Sequence, residues 1–246
     1  MITITKENYY SREVDLEYYS YSQVKSFMQC SYQAMAYLNG KFKYPTNDNM
    51  RFGSLLHSYF DGKEAHEAYI ESEKENLCGK NGKLYAKFDI QPQIDTLEKD
   101  EYAMKYMTGE HEVILTAMFD DKYPFKACID VVGDDFLTDL KTCREITPTF
   151  IDDWGYRGQL ALYKHLYNLS NPKNKKDNIY IVAVSKQDIP DHEVFSLVNY
   201  INEEVERIKE QMPYIDAIKK GLEEPVMCGK CWYCRTQKKC LFPKEI

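Results

Sequence analysis

The N-terminal part of the chain places apolar residues at the spacing of amphipathic helices. In "YSYSQVKSFMQCSYQAMAYLNGK", Ser20 or Ser22 can cap a helix, apolar residues recur at helical spacing, and an Asn-Gly pair supplies the stop. "RFGSLLHSYFDGKEAHEAYI" predicts a second helical stretch, interrupted near Asp61-Gly62, and "IDTLEKDEYAMKYMTGE" predicts a third. This part of the chain is therefore predicted to be helical.

The pattern then changes to that of short strands. "EVILTAMF", "PFKACIDVV" and "DFLTDLKTC" are rich in β-branched and aromatic residues and are separated by turn signals, which predicts a three-stranded meander. "TFIDDWGYRGQLALYKHLYNL" returns to the helical period, and "NIYIVAVS" and "HEVFSLV" predict two more strands. A charged helix, "NEEVERIKEQMPYIDAIKKGL", completes the pattern. The whole predicts an α/β protein with a central mixed sheet flanked by helices.

Composition narrows the class of protein. The 246 residues, 43% of them hydrophobic, can form one core, and no linker or repeat divides them, so we expect a single domain over 1–246. A net charge of −7 argues against a protein that coats polyanions, but it permits an enzyme whose metal supplies positive charge. We find no signal peptide and no apolar window of about eighteen residues. We therefore expect a cytoplasmic protein, in which eight cysteines favour metal binding over disulfides.

Two acids and a lysine are predicted to meet in "KACIDVVGDDFLTDLKT". Asp130 ends one predicted strand, and Asp139 and Lys141 lie on the next. Residues two apart on a strand share a face, so Asp139 and Lys141 project together while Leu140 points to the opposite side. A hairpin would bring Asp130 to the same place. Such acids can bind Mg²⁺ or Mn²⁺, and the lysine can orient water or stabilise charge on a phosphorane. A surface hairpin with weak exposed ion pairs is the alternative interpretation.

Three further side chains become candidate site residues because of this acid–lysine pair. His57, in "FGSLLHSYF", lies on an apolar helix face, where histidine is usually a core residue, although neutral imidazole can also bind metal. Gln159 and Tyr163 are four residues apart and share a helix face, so they could hydrogen-bond a phosphate backbone or the lysine. None of the three is informative alone.

Taken in order, these residues resemble the PD-(D/E)XK nuclease superfamily. More narrowly, they look like its RecB/exonuclease VIII (RecE-like) phage-type branch, which is related to the CRISPR-associated iron–sulfur exonucleases. That branch has Gly-Ser-x-x-His on a helix, an Asp closing one strand, Asp/Glu-x-Lys on the next, and then Gln-x-x-x-Tyr. The matching residues are Gly53, Ser54, His57, Asp130, Asp139, Lys141, Gln159 and Tyr163. The proline that gives the superfamily its name is replaced by Ile129.

The resemblance implies a restriction-endonuclease-like fold, with a nuclease core over roughly 50–200, and Mg²⁺- or Mn²⁺-dependent hydrolysis of DNA ends. It implies resection of duplex DNA for phage-type recombination, with an annealing protein as partner and a possible homo-oligomer. A CRISPR-adaptation nuclease that trims DNA and a catalytically silent DNA-binding scaffold are the alternatives. The implied roles are metal ligation by His57, Asp130 and Asp139, water activation or transition-state stabilisation by Lys141, and support of the site or the DNA by Gln159 and Tyr163.

The C-terminal "MCGKCWYCRTQKKCLFP" has the cysteine spacing of a metal site. One interpretation is a self-contained zinc knuckle of Cys228, Cys231, Cys234 and Cys240. The resemblance implies instead a [4Fe–4S] cluster held by Cys30 with Cys231, Cys234 and Cys240, which would close a very long loop and leave Cys228 spare or as an alternative ligand.

The charge balance reverses around these cysteines. Basic residues interleaved with aromatic residues suit nucleic acid, although a solvated tail has the same composition. The residues concerned are Lys230, Trp232, Tyr233, Arg235, Lys238, Lys239 and Lys244.

Overall fold

A five-stranded mixed sheet lies at the centre of the computed structural model, which describes residues 1–197 and 201–239. The strands are β1 (Glu110–Phe119), β2 (Tyr123–Val132), β3 (Phe136–Cys143), β4 (Asn178–Ser185) and β5 (His192–Ser196). They lie side by side in chain order, and neighbours are antiparallel except for the parallel pair β3 and β4. A parallel pair needs a crossover connection, which is where the fourth predicted helical stretch falls.

Helices precede the sheet, cross between β3 and β4, and follow β5. They are α1 (Arg12–Glu17), α2 (Tyr21–Leu38), α3 (Asp48–Phe60), α4 (Lys63–Ser72), α5 (Lys74–Leu77), α6 (Gln91–Glu98), α7 (Glu101–Lys105), α8 (Phe150–Asp153), α9 (Tyr156–Ser170), α10 (Ile201–Lys219) and α11 (Trp232–Thr236). Within the described residues, no helix has both the length and the apolar character needed to cross a membrane.

Each face of the sheet buries its own apolar core. On one face, Phe27 of α2, Leu162 of α9 and Met212 of α10 pack against β1 and β2. On the other face, Leu55 of α3 packs with Leu140 of β3, together with residues of α6 and α7. Because helices cover both faces, β4 is apolar along almost its whole length rather than alternating. The predicted α/β class, a mixed sheet flanked by helices, is confirmed.

Two predicted helices are each divided in the structure. The third stretch breaks at Asp100, whose carboxylate accepts the N–H groups of Tyr102 and Ala103 and so caps the separate helix α7. The fourth breaks into α8 and α9 at Gly155, whose φ of 68° lies in the left-handed region that glycine tolerates. The Tyr21 hydroxyl donates to the Gly155 carbonyl at 2.8 Å and holds this turn against α2. The first break follows from a side-chain cap and the second from a left-handed glycine, and helical periodicity reveals neither.

The ladder between β2 and β3 is short. It ends at the pair Val131–Thr138, and the same register would next place Asp130 opposite Asp139. There the strands separate, and the Leu140 N–H donates to Asp130 Oδ2 at 2.8 Å. We refer to this opening, between Asp130 on β2 and Asp139 on β3, as the β2–β3 seam.

Candidate active site and cysteine group

The seam holds the predicted acid–lysine pair. Asp139 and Lys141 project to the same side of β3, and Lys141 Nζ forms an ion pair with Asp139 Oδ2. Leu140, between them, is buried in the core on the opposite face. Asp139 Oδ2 is buried, and among the described residues this ion pair is its polar contact. The predicted orientation of these three residues is therefore confirmed.

Asp130 and His57 meet at the same seam from different elements. Asp130 lies two residues before the end of β2 rather than at the end, and its Oδ2 lies 3.5 Å from Nδ1 of His57 on α3. Helix α3 approaches β3 closely because Gly53 has no side chain: a Cβ there would lie 3.1 Å from Thr142 Oγ1. Gly53 is one turn before His57, so the Gly-Ser-x-x-His spacing combines close packing with placement of the imidazole.

Helix α9 contributes from the other face of the sheet. Gln159 Nε2 donates to Asp139 Oδ1 at 3.5 Å and to the Tyr163 hydroxyl at 3.1 Å. Tyr156 was not predicted as a site residue, yet Lys141 Nζ lies 5.0 Å from the centre of its ring, within range of a cation–π interaction. The sequence feature that could have identified Tyr156 is its position three residues before Gln159, which places both on the same helix face.

Burial controls the titration of these groups. Desolvation raises the pKa of both Asp130 and Asp139 to about 6, although Lys141 opposes the rise. Desolvation lowers the pKa of Lys141, but attraction to the two aspartates outweighs it and the net pKa is raised. Desolvation and then the charge of Lys141 lower the pKa of His57, which favours neutral imidazole. At neutral pH the site therefore presents carboxylates and a neutral imidazole, as metal ligation requires.

Two acids that the sequence did not single out add negative charge beside Asp130. Asp61, just after α3, and Glu112, on β1, both raise the pKa of Asp130, after desolvation as the main cause. Glu112 has a φ of 49° and falls where the β1–β2 ladder skips the position opposite Asp130. Asp61 Oδ1 lies 3.6 Å from His111 Nδ1. The strand register places these residues near Asp130, and the sequence pattern does not specify that register.

The donor set fits a divalent cation of the Mg²⁺ type. Two carboxylates and an imidazole offer mostly hard oxygen ligands, and the raised carboxylate pKa values mark a place where positive charge is favoured. In the part of the chain that the structure describes, only the cysteines gather three or more candidate ligand atoms within 4.8 Å of one another. His57, Asp130 and Asp139 thus line the seam without forming a closed cage. This suits a cation that shares its coordination with water and phosphate.

A second candidate metal site joins α2 to the segment that follows α10. The Sγ atoms of Cys30, Cys228, Cys231 and Cys234 all lie within 4.8 Å of one another. Cys30 Sγ lies 3.5 Å from Cys234 Sγ, and Cys228 Sγ lies 4.0 Å from Cys234 Sγ. Cys30 interrupts α2 with φ −165° and ψ 97°, which departs from helical geometry. The predicted approach of Cys30 to the C-terminal cysteines is therefore present.

Cys228, the alternative ligand of the predicted cluster, is the fourth cysteine that the described residues bring to the group. Cys240, like Lys244, lies outside the described residues, so its part in the site stays a prediction. The backbone N–H groups of Cys231 and Lys230 lower the pKa of Cys228 to about 6, whereas desolvation raises the pKa of Cys30. The lowered pKa favours the thiolate form of Cys228, the form that binds metal.

The aromatic residues next to these cysteines take part in packing. The Tyr233 ring centre lies 5.6 Å from that of Tyr32 and 5.2 Å from that of Phe42, and Trp232 lies 5.5 Å from Phe42. Trp232 nevertheless remains 60% exposed. The predicted DNA contact of the basic tail stays a prediction.

A mixed sheet that carries an Asp near the end of one strand and Asp-x-Lys on the adjacent strand is typical of the PD-(D/E)XK class of fold. A family model described as "PDDEXK-like domain of unknown function (DUF3799)" matches residues 20–237, and the chain belongs to this family. No curated protein matches the sequence.

Solved structures agree with this family. The crystal structure of a protein described as "Putative exonuclease" from Eubacterium rectale is similar over 100% of this chain and 97% of its own, with a TM-score of 0.90 and 28% sequence identity. A match to a structure of SSO0001 covers 89% of this chain and 95% of that chain at 14% identity. Its TM-score of 0.34 is too low to show a shared fold. The family and the Eubacterium rectale protein together support a nuclease, with PD-(D/E)XK nucleases being users of divalent metals.

Proposed function

We propose that this protein is a Mg²⁺- or Mn²⁺-dependent exonuclease that hydrolyses phosphodiester bonds at DNA ends. The observation that carries the proposal is the convergence of Asp130, Asp139 and Lys141 at the β2–β3 seam, with His57 reaching it from α3. The fold similarity to the Eubacterium rectale protein supports an exonuclease in particular. Resection of duplex ends for phage-type recombination in the cytoplasm, with an annealing protein, is the biological setting that we propose from the resemblance.

Each side chain has a role that follows from its position. His57, Asp130 and Asp139 would hold the cation, which when bound would lower the pKa of a water and polarise the phosphate. Lys141 carries a positive charge beside Asp139 and can donate a hydrogen bond to the phosphate oxygen that gains charge. Gln159 fixes the orientation of Asp139 through its amide and in turn is held by Tyr163.

The direct test is digestion of end-labelled linear duplex and single-stranded DNA, with Mg²⁺ or with EDTA, and with each strand end blocked in turn. We expect cleavage of linear DNA that needs the metal, spares covalently closed circles and is abolished in Asp139→Ala. Asp188→Ala, at an exposed position in the turn before β5, is the matched control and should cleave as wild type does. Cleavage by Asp139→Ala would refute the site, and no cleavage with any divalent metal would favour the silent scaffold.

We propose also that the cysteine group holds one metal centre that joins α2 to the C-terminal segment. The resemblance implies a [4Fe–4S] cluster. Zinc is the second candidate. The Sγ separations of 3.5 and 4.0 Å support it, because thiolates bound to one zinc ion lie about 3.8 Å apart. In a cluster each cysteine binds a different iron, so the sulfurs stand farther apart.

Metal analysis of anaerobically purified protein separates these candidates. Iron with sulfide and a visible charge-transfer band identifies the cluster, whereas zinc without colour identifies the single ion. Cys30→Ser should lose the metal in either case, and Cys78→Ser, a buried cysteine remote from the group in sequence, should keep it. Retention of metal by Cys30→Ser would refute the joining role. Comparison of Cys228→Ser with Cys240→Ser then identifies the fourth ligand.

A further inference from the structure

Two exposed aromatic side chains adjoin the catalytic seam. Tyr10 is 81% exposed and Trp154 is 57% exposed, although large aromatic side chains usually bury most of their area. They come from distant parts of the sequence, Tyr10 from the segment before α1 and Trp154 from the turn between α8 and α9. Because both lie beside the β2–β3 seam, their exposure is relevant to substrate binding.

Tyr10 stands on the Asp130 side of the seam. The segment that carries Tyr10 lies against this part of the sheet, because Lys6 Nζ pairs with Glu112 Oε2 on β1 at 2.6 Å and the Tyr9 carbonyl accepts a hydrogen bond from Lys126 Nζ on β2. Desolvation and then the charges of Cys128 and Asp130 raise the pKa of Tyr10. The Tyr9 ring, 4.8 Å away and edge-on, supports the Tyr10 ring from the buried side. Tyr10 is therefore an exposed ring that Tyr9 supports, on the segment that lies against Glu112 and β2.

Trp154 stands on the Lys141 side. Its carbonyl accepts a hydrogen bond from Lys25 Nζ at 2.8 Å, and the next residue, Gly155, is held by the Tyr21 hydroxyl. The residue after that is Tyr156, whose ring faces Lys141. The backbone of this turn is thus fixed against α2 and the site while the indole remains exposed.

The catalytic groups lie below the protein surface. Lys141 is only 17% exposed, and Asp139 is almost completely buried. A flexible single strand can bend its phosphate into such a recess, whereas the backbone of an intact duplex is held on the outside of a stiff helix. In addition, bases inside a duplex have both faces covered by their neighbours, so two separate aromatic rings can stack only on bases that are unpaired.

We propose that Tyr10 and Trp154 stack on unpaired bases on either side of the scissile phosphate, so that the substrate is a single-stranded or frayed DNA end. This inference rests on the proposed nuclease function and names its substrate. Aromatic rings serve as sequence-tolerant platforms for bases in proteins that bind single strands. The carbonyl-anchored turn at Trp154 and the Tyr9-supported ring of Tyr10 hold these platforms in place before DNA arrives.

Tryptophan fluorescence tests the proposal without turnover. The chain has two tryptophans, so Trp232→Phe leaves Trp154 as the sole emitter and Trp154→Phe leaves Trp232. Both are made in an Asp139→Asn background and titrated, in Mg²⁺, with short oligodeoxythymidine and with a relaxed, covalently closed circular duplex, which has no ends and no loops. We expect saturable quenching of Trp154 by the single strand and little by the closed duplex. An unchanged Trp154 signal, or quenching confined to Trp232, would overturn the proposal.

Binding and cleavage by the variants complete the test. Tyr10→Ala and Trp154→Ala should each weaken binding of the single strand about tenfold, as expected for the loss of one base–aromatic stack. Tyr102→Ala, a comparably exposed tyrosine on α7, is the control and should bind as before. If wild type degrades DNA while these variants bind and cleave as wild type does, the inference fails and the nuclease stands. If wild type degrades no DNA, the digestion assay refutes the nuclease independently of the fluorescence.

Discussion

Replacing Asp139 by asparagine should stabilise the metal-free protein at alkaline pH while removing its activity. Burial raises the pKa of Asp139 from 3.8 to about 6, so the folded protein must ionise a group that the unfolded chain ionises more readily. A pKa raised in the folded state contributes stability below the unfolded pKa, and this contribution is lost as the pH rises through the folded pKa. The Asp139→Asn variant does not suffer that loss, because its amide does not ionise. The difference of about two pKa units corresponds to about 3 kcal/mol at pH 8 and to about half of that at pH 5.

Urea unfolding in EDTA, at pH 8 and at pH 5, measures this difference. Asp188→Asn removes an exposed carboxylate of the same size and should leave the free energy of unfolding within about 0.5 kcal/mol of wild type. Mg²⁺ should raise the stability of wild type at pH 8 much more than that of Asp139→Asn, because the cation offsets the cost of the buried carboxylate. A variant that is less stable than wild type at pH 8 in EDTA would refute the reasoning, since it would mean that the ion pair with Lys141 outweighs desolvation.

Three further predictions concern the site and the fold. Lys141→Met should lower the cleavage rate at least about a hundredfold with an unchanged circular dichroism spectrum, and near-normal cleavage would exclude Lys141 from transition-state stabilisation. Gly53→Ala should slow cleavage by displacing α3 from Thr142, and adding Thr142→Ala should restore the rate; failure of that rescue would show that close packing is not the cause. Lys126→Met should cost about 3–5 kcal/mol in urea unfolding because it leaves the buried Asp15 carboxylate without its cation, and the double variant with Asp15→Leu should cost clearly less.

The fold and the centre of the site could be predicted because their signals are local. Helical and strand periods predicted the order of the elements, and the spacing of Asp139 and Lys141 fixed their shared face once a strand was assumed. Placing Asp130 beside them required only a hairpin. The approach of Cys30 to the C-terminal cysteines had no such local signal and came from the resemblance alone.

The remaining features depend on contacts that a sequence pattern does not contain. The position of Glu112 opposite Asp130 follows from the point at which the β1–β2 ladder is interrupted. The exposure of Trp154 follows from a helix break that is held by Lys25. The presence of Cys228 in the cysteine group depends on the path of the chain after α10, because cysteine spacing alone fits Cys240 equally well.

The short β2–β3 ladder divides the sheet into a hairpin, β1–β2, and a three-stranded unit, β3–β5. Asp130 belongs to the hairpin and Asp139 to the other unit, and the backbone pairing between them has already ended where the two carboxylates stand. A cation bound by both would therefore act as a cross-link between two halves of the sheet that the backbone joins only weakly. Loading the catalytic site and locking the sheet would then be one event, detectable as slower amide exchange along the seam when the metal binds.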